Sequence, residues 1–131
     1  MAVTKKNDKF LKKAFDRAIK LAGYSNHKLN AHLVKPNSSN LDVGDIILLH
    51  YRNRFGKDTG WRMALVVRPI TFTSSRNNRL LTCVHLPAGM RLTSENLQDV
   101  YINRAVELPE GFYRTFIANS SNMPEVYKLG D

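Results

Sequence analysis

The chain has 131 residues, with 20 Lys and Arg against 11 Asp and Glu and a formal charge of +9 at neutral pH. That length suits one domain with a modest core, held without disulfides or a structural metal. The single cysteine, Cys83, excludes an intrachain disulfide, and with no secretory leader pattern and no apolar run near the roughly 20 residues of a spanning helix, a reducing cytoplasm is expected.

Residues 4–23, TKKNDKFLKKAFDRAIKLAG, separate cleanly on a wheel of about 100° per residue. Phe10, Leu11, Ala14, Phe15, Ala18, Ile19, Leu21 and Ala22 share one half, while Lys5, Lys6, Lys9, Lys12, Lys13, Asp16, Arg17 and Lys20 share the other. An amphipathic basic helix is predicted, with Thr4 as N-cap and Gly23 just past its last turn. Three of its eight apolar positions are alanine, which suits close packing on protein better than insertion into a bilayer. Residues 26–34 are expected to form a short helix, and KPNSSN at 35–40 a linker.

From Leu41 onward short runs rich in Val, Ile, Leu and Thr predict strands at 46–51, 62–72 and 80–86. A turn at 87–92 leads toward a further short strand, and 99–108 is a fifth apolar-rich segment. Residues 110–119 are expected to make one or two helical turns, with Phe112, Phe116 and Ile117 inward, and the last dozen residues a loose tail. The expectation is an α+β chain: a basic helical segment over 1–34, then a small antiparallel SH3-like β-barrel of about five strands over 41–131.

The charge falls in two blocks. Residues 1–35 hold nine basic and two acidic groups, residues 50–79 seven and one, and residues 92–131 three and six. A polyanion is the implied partner, nucleic acid before an anionic membrane. Between the first two predicted strands lies RNRFGKDTGWR, which presents Arg52, Arg54, Lys57 and Arg62 beside Phe55 and Trp61; Arg76 and Arg79 follow in the next connection. Guanidinium groups grip phosphates and aromatic faces stack on unpaired bases, a combination suited to single strands.

No cofactor is expected, because neither glycine signature of nucleotide binding occurs. No metal is expected either, since His27, His32, His50, His85 and Cys83 lack ligand spacing.

VGDIILLHYRNRFGKDTGWRMALVV resembles the opening of the MazF/PemK-type toxin family of SH3-like barrels, in which a Gly-Asp, a strand, a long basic loop and G-x-R-P before an apolar strand occur in that order. Gly44-Asp45 and Gly60-Trp61-Arg62-Met63 fill these positions, and the likeness covers residues 43 to about 108. It implies metal-independent cutting of single-stranded RNA, with Arg62 at the family's arginine position. The chain departs from the pattern at Met63, where the family has proline, and in CVHLPAG, where His85 or Leu86 stands at the hydroxyl position and Thr82 comes three residues early. The basic N-terminal helix is a further departure.

The sequence therefore points to an RNA-binding protein without catalysis. Lys5, Lys6, Lys9, Lys12, Lys13, Arg17, Lys20, Arg52, Arg54, Lys57, Arg62, Arg76 and Arg79 would meet phosphate, with Phe55 and Trp61 on bases. The alternatives are an endoribonuclease acting through Arg62 and His85, and a DNA-binding accessory protein. The apolar helix face docks either on its own barrel or on a second copy in a homodimer.

Overall fold

A computed structural model of the chain describes residues 9–24, 30–52, 58–73, 78–105, 113–121 and 123–130. Chain order is α1 (Lys9–Tyr24), β1 (Asn30–Val34), β2 (Ile46–Arg52), β3 (Asp58–Val66), β4 (Thr71–Phe72), β5 (Arg79–His85), α2 (Ser94–Val100) running into a π-helical turn (Tyr101–Ala105), β6 (Tyr113–Ile117) and β7 (Glu125–Gly130). The described strands form one antiparallel sheet in the order β1-β7-β2-β3-β5-β4, with β6 on the other side of β5. None of the described helices is long and apolar enough to cross a membrane.

The sheet has an apolar cluster on each face. Both helices cover one face, where Leu11, Ala14, Phe15 and Ala18 of α1 and Leu97 and Val100 of α2 meet Ile46, Leu65, Val84 and Leu129 of the strands. The opposite face buries Leu41, Ile47, Leu49, Ala64, Val66, Ile70, Leu81, Cys83 and Val126, with neither described helix over it. A flat sheet would leave such a face in water, so this one curls around its own side chains. The curl stops short of the expected barrel: the sheet is open, with β1 and β6 at its two ends.

The predicted helix docks on its own sheet. Gly23, expected after the last turn, lies inside α1, where a Cβ would come 3.1 Å from Ser94 Oγ. Its missing side chain makes room for the start of α2, whose Ser94 hydroxyl donates to the Ile19 carbonyl at 2.9 Å. The Arg68 guanidinium, over the rings of Phe10 and Tyr113, ties α1 to β6.

Several local expectations are overturned, each for a tertiary reason. The helix expected within 26–34 is replaced over Asn30–Val34 by β1, which pairs residue by residue with β7 from Asn30↔Gly130 to Val34↔Val126. A helix that short is marginal, whereas the sheet edge offers ready partners. The tail is instead β7, held between β1 and β2. The apolar segment expected as a strand at 99–108 is helical over 99–105, its described part: Thr93 accepts the Asn96 N–H and caps a helix, which buries Leu97 and Val100 three apart. The helical turns expected at 110–119 give way over Tyr113–Ile117 to β6 on the free edge of β5, with Phe116 packed against the inner cluster and Ile117 exposed, while Phe112 lies outside the described residues. At 87–92 there is a turn closed by Met90 N–H to Pro87 O, without the expected strand. The strand expected at 62–72 begins earlier, at Asp58, and is interrupted before β4 around Pro69, which has no N–H to give to a ladder.

Candidate nucleic-acid interface

The candidate site forms where two paired strands separate. β3 and β5 pair from Val66↔Cys83 to Ala64↔His85, and Leu86 N–H still reaches Met63 O at 2.8 Å. Beyond that point Pro87, Ala88 and Gly89 turn away while β3 runs on through Gly60. The opening is a groove of about 970 Å³ that also takes in Tyr51 of β2 and Arg114, Thr115 and Phe116 of β6.

Register decides which side chains meet in it. Tyr51 faces Gly60, Ala64 faces His85, and Cys83 faces Arg114. Tyr51, Arg62, His85 and Arg114 therefore stand on four adjacent strands, each shifted by two residues, in a straight diagonal row on the inner face. Diagonal neighbours of this kind lie about 7–8 Å apart. Gly60, at φ +127°, leaves the place opposite Tyr51 empty, since a Cβ there would meet nothing within 4 Å.

The charge states in the row differ. Burial, then the positive charges of Arg62 and Arg114, hold the His85 imidazole below its ordinary pKa, so it is neutral at pH 7. Its buried Nε2 has no hydrogen-bond partner among the described residues. Burial raises the Tyr51 pKa and the future Cys83 thiolate adds to it, against the two arginines, so the phenol keeps its proton as a donor. Cys83, pushed up to about 12 mainly by burial, is an inert thiol.

Trp61 projects from the other face of β3 at the groove's rim. Its indole stacks on His50 at 3.9 Å and 9° and meets Tyr127 at 5.3 Å and 47°, yet it is 50% exposed. One face is thus fixed by the protein and the other is open. The His50 imidazole is fixed in turn, Nδ1 lying 2.8 Å from the Glu125 carboxylate that also accepts from Arg52 Nε at 3.1 Å.

The sequence candidates divide accordingly. Trp61, Arg62 and His85 come together in the groove. Arg52 is engaged by Glu125 beneath the Trp61 stack. Arg17 binds Asp45 at 3.0 Å and the Val43 carbonyl at 2.9 Å, so it serves as a tether between helix and sheet. Lys12 pairs with Asp16 at 3.0 Å, and Lys13 and Lys20 are exposed along α1. Lys9 begins that helix. Arg79 opens β5 beside Phe72, six residues and roughly 20 Å from His85 at a strand's rise. Lys5, Lys6, Arg54, Phe55, Lys57 and Arg76 lie outside the described residues.

Two groove residues escaped the sequence reading. Tyr51 looked like the end of an ordinary strand, and Arg114 fell in a segment expected to be helical; the apolar residues Tyr113, Phe116 and Ile117 have no period of two, so the pairing of this segment with β5 carried no signal in the sequence. Among the described residues no group of His, Cys, Asp and Glu could hold a metal ion. Comparison with protein-family models, with curated proteins and with solved structures finds no match.

Proposed function

We propose that the chain binds single-stranded RNA along this groove. The observation that carries the reading is the diagonal row, which sets two guanidinium groups on either side of His85 with an open-faced tryptophan at the rim. Phosphates on Arg62 and Arg114 and a base on Trp61 use one extended strand at once, whereas a duplex keeps its bases from stacking on protein. The exposed lysines of α1 and the net charge of +9 add long-range attraction. The test incubates protein with labelled single-stranded RNA and matched DNA in EDTA over a salt series, reading mobility and strand integrity together. Intact RNA shifted at low salt and released at high salt supports binding; no shift for either nucleic acid removes the proposal.

One observation favours a second reading, metal-independent cleavage in the manner of the MazF/PemK-type toxins that residues 43–108 resemble. A neutral histidine between two arginines has the form of a general base beside phosphate-stabilising cations. His85 would take the 2′-hydroxyl proton as that oxygen attacks the adjacent phosphorus, Tyr51 would protonate the departing 5′-oxygen, and a cyclic phosphate would result. Fragments in EDTA that disappear with Arg62→Ala would decide for this reading.

A further inference from the structure

The order of groups in the row carries more than a preference for anions. Arg62, His85 and Arg114 occupy successive diagonal positions on β3, β5 and β6, all three line the same groove, and the middle one is not a cation at pH 7. A site built only for phosphates would gain from a third guanidinium there. A neutral imidazole instead presents one donor and one acceptor. A hydroxyl group, itself both donor and acceptor, can bond to such a ring nitrogen in either tautomer. Along a strand of RNA the sequence of groups is phosphate, ribose hydroxyl, phosphate; in DNA the middle term is missing.

Taking RNA as the ligand of the groove, we propose that His85 tells ribose from deoxyribose, through a hydrogen bond to the 2′-hydroxyl of the nucleotide held between Arg62 and Arg114. Neither ring nitrogen has a hydrogen-bond partner among the described residues; Nε2 is buried, so the hydroxyl would bond to Nδ1. The hydroxyl is the group by which a protein separates RNA from DNA. The neighbouring positions on the inner face bring no rival: Ala64 and Cys83 are apolar and fully buried, and Gly60 has no side chain. Tyr51 stands beyond Arg62, a full diagonal step from the space between the guanidiniums.

The test measures fluorescence anisotropy of labelled oligouridylate, oligodeoxyuridylate and 2′-fluoro-oligouridylate on the wild-type chain, His85→Phe, His85→Gln and Arg62→Ala. The wild type is expected to bind the ribose strand about five- to tenfold more tightly than the other two, the worth of one hydrogen bond. His85→Phe keeps the ring shape and is expected to bind all three at the wild-type deoxyribose level; His85→Gln, with a donor and an acceptor, restores part of the preference. Arg62→Ala weakens all three strands alike. A wild type that binds ribose and deoxyribose equally, or a preference unchanged in His85→Phe, overturns the role of His85 and leaves RNA binding standing. Failure of every strand to bind overturns both.

Discussion

The Arg17 guanidinium lies 3.0 Å from the Asp45 carboxylate, joining α1 to the turn that starts β2. Asp45 is 5% exposed; it also accepts the Asp42 N–H at 2.8 Å and stands 3.7 Å from Lys128 Nζ. Gly44, between them at φ +97°, brings the backbone so close that a Cβ would come 2.8 Å from Arg17. Arg17 is half exposed, so Arg17→Ala is expected to cost only about 1 kcal/mol, while Asp45→Ala, which also orphans a backbone N–H and leaves cations uncompensated, costs about 2–4 kcal/mol. Urea denaturation midpoints check both values, and RNA affinity should be unchanged in Arg17→Ala apart from the loss of one net charge.

Trp61 is the chain's one tryptophan, so its emission reports on the rim of the groove directly. RNA binding is expected to quench it as a base covers the exposed face. Trp61→Ala should weaken binding by about 1–3 kcal/mol, the value of one base stack. Trp61→Phe should lose less. A titration in which emission does not change would place the RNA elsewhere.

Salt dependence separates the groove from the helix. For a single strand each phosphate contact contributes about 0.7 to the slope of log affinity against log salt. Arg62→Ala and Arg114→Ala should each lower the slope by about that much. Replacing Lys13 and Lys20 together should lower it only if the exposed face of α1 also touches the strand, and Arg52→Ala should act through Trp61 position more than through the slope.

Acid should destabilise the fold in two stages. The His85 pKa is depressed below its ordinary 6.5 in the native state, chiefly by burial, so as pH falls through 6.5 the unfolded chain takes up a proton that the native chain refuses, and stability drops until the native pKa is reached. Glu125 is depressed below 4.5 by its hydrogen bonds from His50 and then Arg52. Its contribution is present above 4.5 and is lost as pH falls through the native value. Thermal midpoints across pH 3 to 8 should show both stages, the first absent in His85→Phe and the second in Glu125→Gln.

Cys83 is fully buried in the inner cluster, its thiol pushed up to about 12. Alkylation by iodoacetamide should be negligible in the native chain at pH 8 and rapid in denaturant. Cys83→Ser should destabilise by about 1–3 kcal/mol, since the hydroxyl would enter an apolar cluster without a prepared partner.

The amphipathic helix was legible in the sequence because its signal is local: the 3.6-residue period sorts Leu11, Phe15 and Ala18 from Lys12, Lys13 and Lys20 without reference to anything else. The strands β2, β3 and β5 were legible for the same reason, as short β-branched runs between turn formers. Asn30–Val34, Tyr113–Ile117 and Glu125–Gly130 were not, because each is a short segment whose state is set by an unpaired sheet edge far away in sequence. Backbone groups there are satisfied by partners about thirty to a hundred residues distant.

The sequence by itself determined the inventory: the excess of arginine and lysine, the basic stretch ahead of Trp61 and Arg62, the lone cysteine. Only the tertiary structure decided which of those charges are spoken for. Arg17 and Arg52 are drawn to carboxylates by contacts that no sequence spacing records, 28 and 73 residues away, while Arg62, His85 and Arg114 are aligned by strand register across β3, β5 and β6. Charge is a property of residues, and a binding site is a property of the distances between them; those distances are fixed by long-range pairing in the sheet.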